Sequence, residues 1–261
     1  MYRSTVNTLI LFVILSGCAH QPDTLSIRHK QAMDWAQQGE HAYFSGNLEQ
    51  SRQYYEKALL DHSAIEHQSG IAAVLLCLAQ IHLDLGEYDK AEARLQLVLA
   101  NNLNTANDRA EAAARLAQLA LLLKQADKAL VLAEQAQTLC EKCALMASIL
   151  NLQAEAAYAQ GKLQKSADLA QLAAAIAEKL EQANAWRLLA QIRLSQGDAA
   201  NAVIWLEQAL PADKQLGLPK KIIEDLGLLA EAKEKLGLYE EAESCRSRIR
   251  AIRLALGDKF P

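Results

Sequence analysis

The segment Leu83-Asp84-Leu85-Gly86-Glu87-Tyr88-Asp89-Lys90-Ala91-Glu92-Ala93 reads as the end of one helix, a tight turn and the start of a second helix folded back on the first. Gly86 stands where a helix C-terminus favours a residue that tolerates positive φ. Asp89 is placed to cap the following helix, and Ala91 is small enough for two helix backbones to approach closely. The pattern recurs at Gly46-Asn47-Leu48, Gly161-Lys162-Leu163, Gly197-Asp198-Ala199 and Gly237-Leu238-Tyr239, and at Lys124-Gln125-Ala126 with the glycine replaced. The turn positions 46, 86, 124, 161, 197 and 237 are separated by 40, 38, 37, 36 and 40 residues. A near-constant period in this range predicts a solenoid of helical hairpins, each of which buries its apolar face only by stacking on its neighbours.

Composition agrees with that architecture. Hydrophobic residues make up 51% of the 261, yet aromatics only 5%. Such a chain fills its core with Ala and Leu between close-packed helices. No β-branched run of period two argues for a sheet. The charge balance is weakly acidic and no basic face is concentrated anywhere, which excludes an ordinary nucleic-acid binder.

The N-terminus has a different character. Arg3 precedes an apolar run from Leu9 to Leu15, followed by Leu15-Ser16-Gly17-Cys18. The run is shorter than the roughly 20 residues a membrane span wants and reads as a secretory signal over residues 1–17. Leu15 to Cys18 resembles the bacterial lipoprotein box. The resemblance implies cleavage before Cys18, a diacylglyceryl group on its thiol and acylation of the new amine, which would anchor the chain stably in a membrane. Ala19 at the next position implies sorting to the outer membrane. Residues 18–30 then read as an acylated tether, and residues 31–261 as the solenoid with a C-terminal capping helix.

Within each period, large and small residues alternate as two antiparallel helices require. Trp35, Gly39, Ala42, Gly46, Ser51, Tyr55 and Ala58 form the first set; Leu75, Leu78, Ala79, His82, Gly86, Tyr88, Ala91 and Leu95 form the second. Equivalent sets run through Leu150, Ala154, Ala157, Gly161 and Ser166, through Trp186, Leu189, Ala190, Gly197 and Ala202, and through Leu226, Leu229, Ala230, Gly237 and Ala242. This resembles the tetratricopeptide-repeat family from residue 31 to about 250. The resemblance implies an all-α, right-handed superhelical solenoid of about six hairpins. The periods are longer than that family's usual repeat, and no proline occurs between Pro22 and Pro211. Inter-repeat turns are expected at 140–145, 178–184 and 211–221, the last irregular because of Pro211 and Gly217-Leu218-Pro219.

Solenoids of this family bind extended or helical peptides in a concave groove lined by the first helix of each hairpin. Aligning the repeats places groove candidates at Tyr43, Gln80, Gln118, Asn151, Glu155, Tyr158, Asn184, Arg187 and Gln191. Amides there would bond a peptide backbone and the tyrosines would pack its side chains. The lysine–asparagine set by which some members clamp a C-terminal carboxylate is missing.

Other constellations carry less. Cys140-Glu141-Lys142-Cys143 is a CxxC in the third-to-fourth turn, read as a disulfide staple or as two unpaired thiols. A redox role wants a βαβ context, and a zinc site wants two further ligands. The six histidines, His20, His29, His41, His62, His67 and His82, all lie in the first third, with no two spaced i, i+4 on one helix face, so no metal or other cofactor is expected. Arg246, Arg250 and Arg253 share one face near the C-terminus and read as a solvated face that complements the helix dipole. No nucleophile elbow, P-loop or dinucleotide turn stands out, and the chain is not expected to be an enzyme. The reading is an outer-membrane-anchored periplasmic scaffold that binds envelope proteins or peptides, in assembly of pili and secretins or in regulation of peptidoglycan enzymes. The alternatives are a periplasmic enzyme or redox protein using Cys140 and Cys143, and a homotypic structural protein that dimerises.

Overall fold

The computed structural model describes residues 26–140 and 143–257. The signal sequence, Cys18 and most of the tether lie outside the described residues. Within them the chain forms twelve α-helices and no strand, arranged as six hairpins. These are α1 (Ile27–Phe44) with α2 (Leu48–Ala64), α3 (Gln68–Asp84) with α4 (Tyr88–Ala100), and α5 (Ala106–Leu122) with α6 (Ala126–Leu139). They continue as α7 (Met146–Ala159) with α8 (Leu163–Ile176), α9 (Lys179–Ser195) with α10 (Ala199–Leu216), and α11 (Pro219–Lys235) with α12 (Tyr239–Ala255).

All six expected turn positions have a positive φ: +77° at Gly46, +74° at Gly86, +59° at Lys124, +73° at Gly161, +81° at Gly197 and +77° at Gly237. The hydrogen bonding explains the need. At the end of α3 the amide of Glu87 donates to His82 O at 2.8 Å, and at the end of α5 the amide of Gln125 donates to Ala120 O at 2.8 Å. Such a reversal turns the chain sharply while satisfying helix-terminal carbonyls, and its pivot residue must be left-handed. Lys124 adopts that conformation without glycine's freedom.

Several boundaries differ from the sequence expectations. α1 begins at Ile27, capped by Ser26 Oγ accepting from the amide of His29 at 3.1 Å, so the last residues of the expected tether are helical. The N-cap of α4 is Glu87, and Asp89 lies inside the first turn, where its charge faces the positive end of the helix dipole. The link from α8 to α9 is short, at Ala177 and Glu178, and 179–184 belong to α9 because Ala183 is needed in the core. The expected break at Pro211 is absent as well. α10 runs through it to Gly217 because Leu206, Ala209, Leu210 and Asp213 are all buried along one face. That packing outweighs the roughly 3 kcal/mol an interior proline costs.

Small residues mark the crossings. Gly39 lies against the ring of Tyr55, and Ser51 Oγ donates to Gly39 O at 2.7 Å. Ser166 Oγ donates to Ala154 O at the same 2.7 Å in the fourth hairpin. Each serine ties the second helix of its hairpin to the first. α5 is closed at its start by a reciprocal cap between Thr105 and Asp108.

Every helix packs on its sequence neighbours. In addition α3, α5, α7 and α9 each touch the next odd-numbered helix, as far as α11, whereas the even-numbered helices make no comparable approach to one another. The odd helices therefore form the crowded inner row and the even ones the splayed outer row. This layering defines the concave face.

Candidate peptide groove

The inner row encloses a cavity of about 640 Å³. Gln80 comes from α3, Glu111, Arg115 and Gln118 from α5, Asn151, Leu152 and Glu155 from α7, Leu180, Glu181 and Asn184 from α9, and Lys221 from α11. A second cavity of about 330 Å³ continues it along Leu121, Tyr158, Arg187, Leu188, Gln191 and Glu224. The two share Glu155, Asn184 and Lys221, so they adjoin as one groove. A shallow polar depression of about 690 Å³ lies apart, between the turns at Lys124 and Gly161, and is bridged by Gln160 Nε2 donating to Asp127 at 2.8 Å. It lacks the convergent walls of the groove.

Eight of the nine groove candidates line this space; Tyr43 does not. Its hydroxyl donates to Asp84 Oδ2 at 2.6 Å, and Gln80 Nε2 donates to Asp84 Oδ1 at 3.0 Å. Burial, and then the Asp84 carboxylate, push the Tyr43 hydroxyl up to about 12, so it stays a neutral donor. Arg115, whose guanidinium is held by Glu111 at 2.6 Å, donates to Gln80 Oε1 at 3.2 Å. A bonded polar chain thus runs from α1 to α5 and meets the groove at Gln80 and Arg115.

Two candidates are structural rather than ligand-facing. Arg187 is only 3% exposed. It donates to Asp225 Oδ1 at 2.7 Å, to Asp213 Oδ2, and to Asn184 Oδ1 at 3.0 Å. Both aspartates are fully buried, so the guanidinium is consumed in joining α9 to α10 and α11. Asn151 is also buried, its Nδ2 donating to the carbonyl and the carboxylate of Glu181, each at 2.8 Å. Long polar residues at matching repeat positions here answer each other instead of solvent.

Glu155 behaves differently. Solvent reaches its carboxylate, yet α5, α7, α9 and α11 crowd around it, and that desolvation raises its pKa; Lys221 and Arg187 oppose the rise. Among the described residues it makes no hydrogen bond or ion pair, and Lys221 is held by Glu224 at 3.2 Å. Tyr158 and Gln191 stand beside it on the cavity wall.

Sequence reasoning missed several groove residues, among them Glu111, Arg115, Glu181, Lys221 and Glu224. Arg115 follows Glu111 at i+4 and reads as a surface pair, Glu181 fell in an expected turn, and Lys221 sat beside Pro219 in another. It also missed that His29, His62 and His67 meet. The His62 and His67 Nδ1 atoms are 3.1 Å apart, and the His29 ring centroid lies 4.3 Å from that of His67. Burial lowers the pKa of His62, with the other two rings adding to the effect. No group of metal-ligand geometry occurs among the described residues.

Cys140 and Cys143 are joined by a disulfide with the Cα atoms 5.3 Å apart. Carboxylates cover the arginine face of α12: Glu234 meets Arg246 and Glu243 meets Arg250, each at 2.6 Å.

No protein-family model matches the chain, and no curated protein matches it. Solved structures do. The apo form of the quorum sensor NprR from B. thuringiensis superposes with a TM-score of 0.72 at 15% identity, over 85% of this chain and 65% of that one. PilW, described as a widely conserved type IV pilus biogenesis factor, gives 0.67 at 15% identity over 84% of this chain and 92% of that one. The TPR-like repeats of a Podosopora anserina putative kinesin light chain give 0.53 at 21% identity over 71% of this chain and 95% of that one. At these identities the likeness is one of fold: a tetratricopeptide-like solenoid.

Proposed function

We propose that this chain is a non-enzymatic scaffold that takes an extended segment of a partner protein into its concave groove. The observation that carries the reading is the groove itself. One continuous cleft crosses α3 to α11, presents amides and a tyrosine from successive repeats, and is walled by Leu121, Leu152, Leu180 and Leu188. Alternating polar and apolar positions of this kind suit a peptide whose backbone is bonded and whose side chains are packed.

The lipobox reading of Leu15 to Cys18, with Ala19, adds an anchor: the scaffold hangs by acyl chains on Cys18 from the periplasmic face of the outer membrane. A partner there is an envelope protein, in pilus or secretin assembly or among peptidoglycan enzymes. The resemblance of fold to PilW is compatible with the first of these and does not choose between them.

The test has two arms. Membrane fractionation and radiolabelled palmitate should find the intact chain acylated in the outer membrane and Cys18→Ala unacylated; a soluble intact chain would defeat the anchor. Crosslinking in native membranes should capture a small set of envelope proteins that a Glu155→Ala, Tyr158→Ala, Gln191→Ala variant loses. Capture of the same set by both would move binding off the groove.

A further inference from the structure

The joint between the first and second hairpins is packed around three imidazole rings. His29 comes from α1, His62 from the last turn of α2, and His67 from the link, where it is the N-cap of α3. His62 is 4% exposed, while His29 and His67 are half-buried, so water reaches the group from its rim. The Nδ1 atoms of His62 and His67 lie at hydrogen-bond distance, 3.1 Å. The His29 ring sits against both, its centroid 4.3 Å from that of His67 and 5.6 Å from that of His62. Gly70, in the first turn of α3, floors the pair: a Cβ there would lie 2.5 Å from each Nδ1.

A bond between two Nδ1 atoms works with one proton between them, whichever ring carries it. A second proton makes both nitrogens donors, so the bond is lost and two like charges face each other. The surroundings offer little relief. Asp61 of α2 favours a charged His62, but its carboxylate already holds Arg28 of α1 at 3.0 Å. Beside His29, α1 brings Arg28 and Lys30, and Glu66 in the link is exposed. Ser69 and Gly70 on α3 are neutral, as is Asn101 at the end of α4, which bonds Gln68. The positive end of the α3 dipole lies at His67.

The backbone gives the joint a reason to yield. Glu66 is left-handed at φ +52°, a costly conformation for a residue other than glycine. Its tight reversal, in which the His67 amide donates to His62 O at 3.0 Å, is what brings the two rings together. Above them, Trp35 and Tyr43 of α1 pack on a cluster containing Val74, Leu78 and Ile81 of α3, so movement at the joint is felt by the first hairpin as a whole.

We propose that the three histidines form a proton-operated latch, which seats the first hairpin on the second at neutral pH and loosens that seating in mild acid. Burial, with His67 and His29 adding to it, lowers the pKa of His62. The unfolded ring therefore takes a proton that the folded one resists. The contribution to stability is complete above about pH 6.5 and is lost as pH falls below that. The latch does not depend on what the groove holds.

The experiment is hydrogen–deuterium exchange on the detergent-solubilised full-length protein at about pH 7.5 and about pH 5.5, corrected for the intrinsic pH dependence of exchange. Residues 27–68 should lose protection at least about ten-fold in acid, while residues 146–176 change less than about two-fold. Reading the loss locally keeps it apart from Asp225, which titrates in the same range but with the opposite sign and in the last hairpin. His62→Gln, with folding at neutral pH checked by circular dichroism, should abolish the acid response of residues 27–68. His67→Gln removes the neighbouring charge from a half-buried site and should cut the response to about three-fold or less. Equal protection of the wild type at both pH values overturns the latch, as does a loss spread evenly over all six hairpins. A ten-fold response that survives in His62→Gln overturns it too. If His62→Gln does not fold, His67→Gln decides, and a response there as large as the wild type's is fatal to the proposal.

Discussion

Arg187 Nε on α9 donates to Asp225 Oδ1 on α11 across 2.7 Å, in a site where the arginine is 3% exposed and the aspartate fully buried. With Asp213 of α10 on the same guanidinium, one side chain joins three helices from two hairpins. Removing it strands two buried carboxylates. Arg187→Ala is therefore expected to destabilise the fold by about 3–5 kcal/mol, read from urea unfolding. A loss under about 1 kcal/mol would mean that the fifth and sixth hairpins do not depend on this ion pair.

The same cluster makes stability depend on pH. Burial pushes the Asp225 carboxyl up to about 7, against the pull of Arg187 and with the neighbouring Asp213 adding to the rise. Across the window from about pH 4 to 7 the folded chain holds a proton that the unfolded carboxyl has released. Its contribution to stability is therefore complete at the acid end and is lost as pH rises towards 7, by at most about 1.4 kcal/mol per unit. Asp225→Asn should flatten the curve relative to wild type over that window. Parallel curves for the two proteins would refute the assignment.

Lys124 is the one hairpin pivot that is not glycine, at φ +59°. A left-handed non-glycine residue costs roughly 1–2 kcal/mol, and glycine's greater unfolded freedom recovers part of that. Lys124→Gly should stabilise by about 0.5–1 kcal/mol and raise the Tm by about 2–3 °C. A lowered Tm would show that the lysine side chain contributes more than its backbone costs.

At Gly39 the sign is reversed. A Cβ there would lie 2.8 Å from the Tyr55 ring, which is itself buried. Gly39→Ala gains helix propensity of about 1 kcal/mol but forces the ring out of its packing, so the net loss should be about 1–2 kcal/mol. Thermal melts decide it, and an unchanged Tm would mean that the first hairpin opens without strain.

The Cys140–Cys143 disulfide closes a very short loop, so its loss should cost about 2 kcal/mol and nothing more. A Cys140→Ser, Cys143→Ser variant that keeps its partners at a lowered Tm fits a staple. Loss of function with partner binding and fold intact would instead revive a redox role.

The hairpin pivots were legible because left-handed turns call for glycine at a regular interval, and even the Lys124 exception kept its flanking Ala126 and Ala129. The groove was legible as a list of positions, since repeat alignment fixes which face of each first helix looks inward. What each residue does there was not. Arg187 reads as a groove arginine until Asp213 and Asp225, 26 and 38 residues further on, are seen to hold it. Pro211 reads as a break because local propensity says nothing of the buried face on either side of it. The three histidines come from α1, α2 and the link to α3, and no helical spacing connects them.

Each helix touches only the next one or two along the chain, and α1 has α2 as its one substantial neighbour. A pull on the N-terminus would thus travel through the hairpins in series, with no strut between distant parts to share the load. The first hairpin lies outside the inner row that knits α3 to α11 and is joined to it through α2 on α3 and through Tyr43 on Asp84. A chain pulled from that end is expected to peel from the first hairpin inward before the cleft around α7 is disturbed.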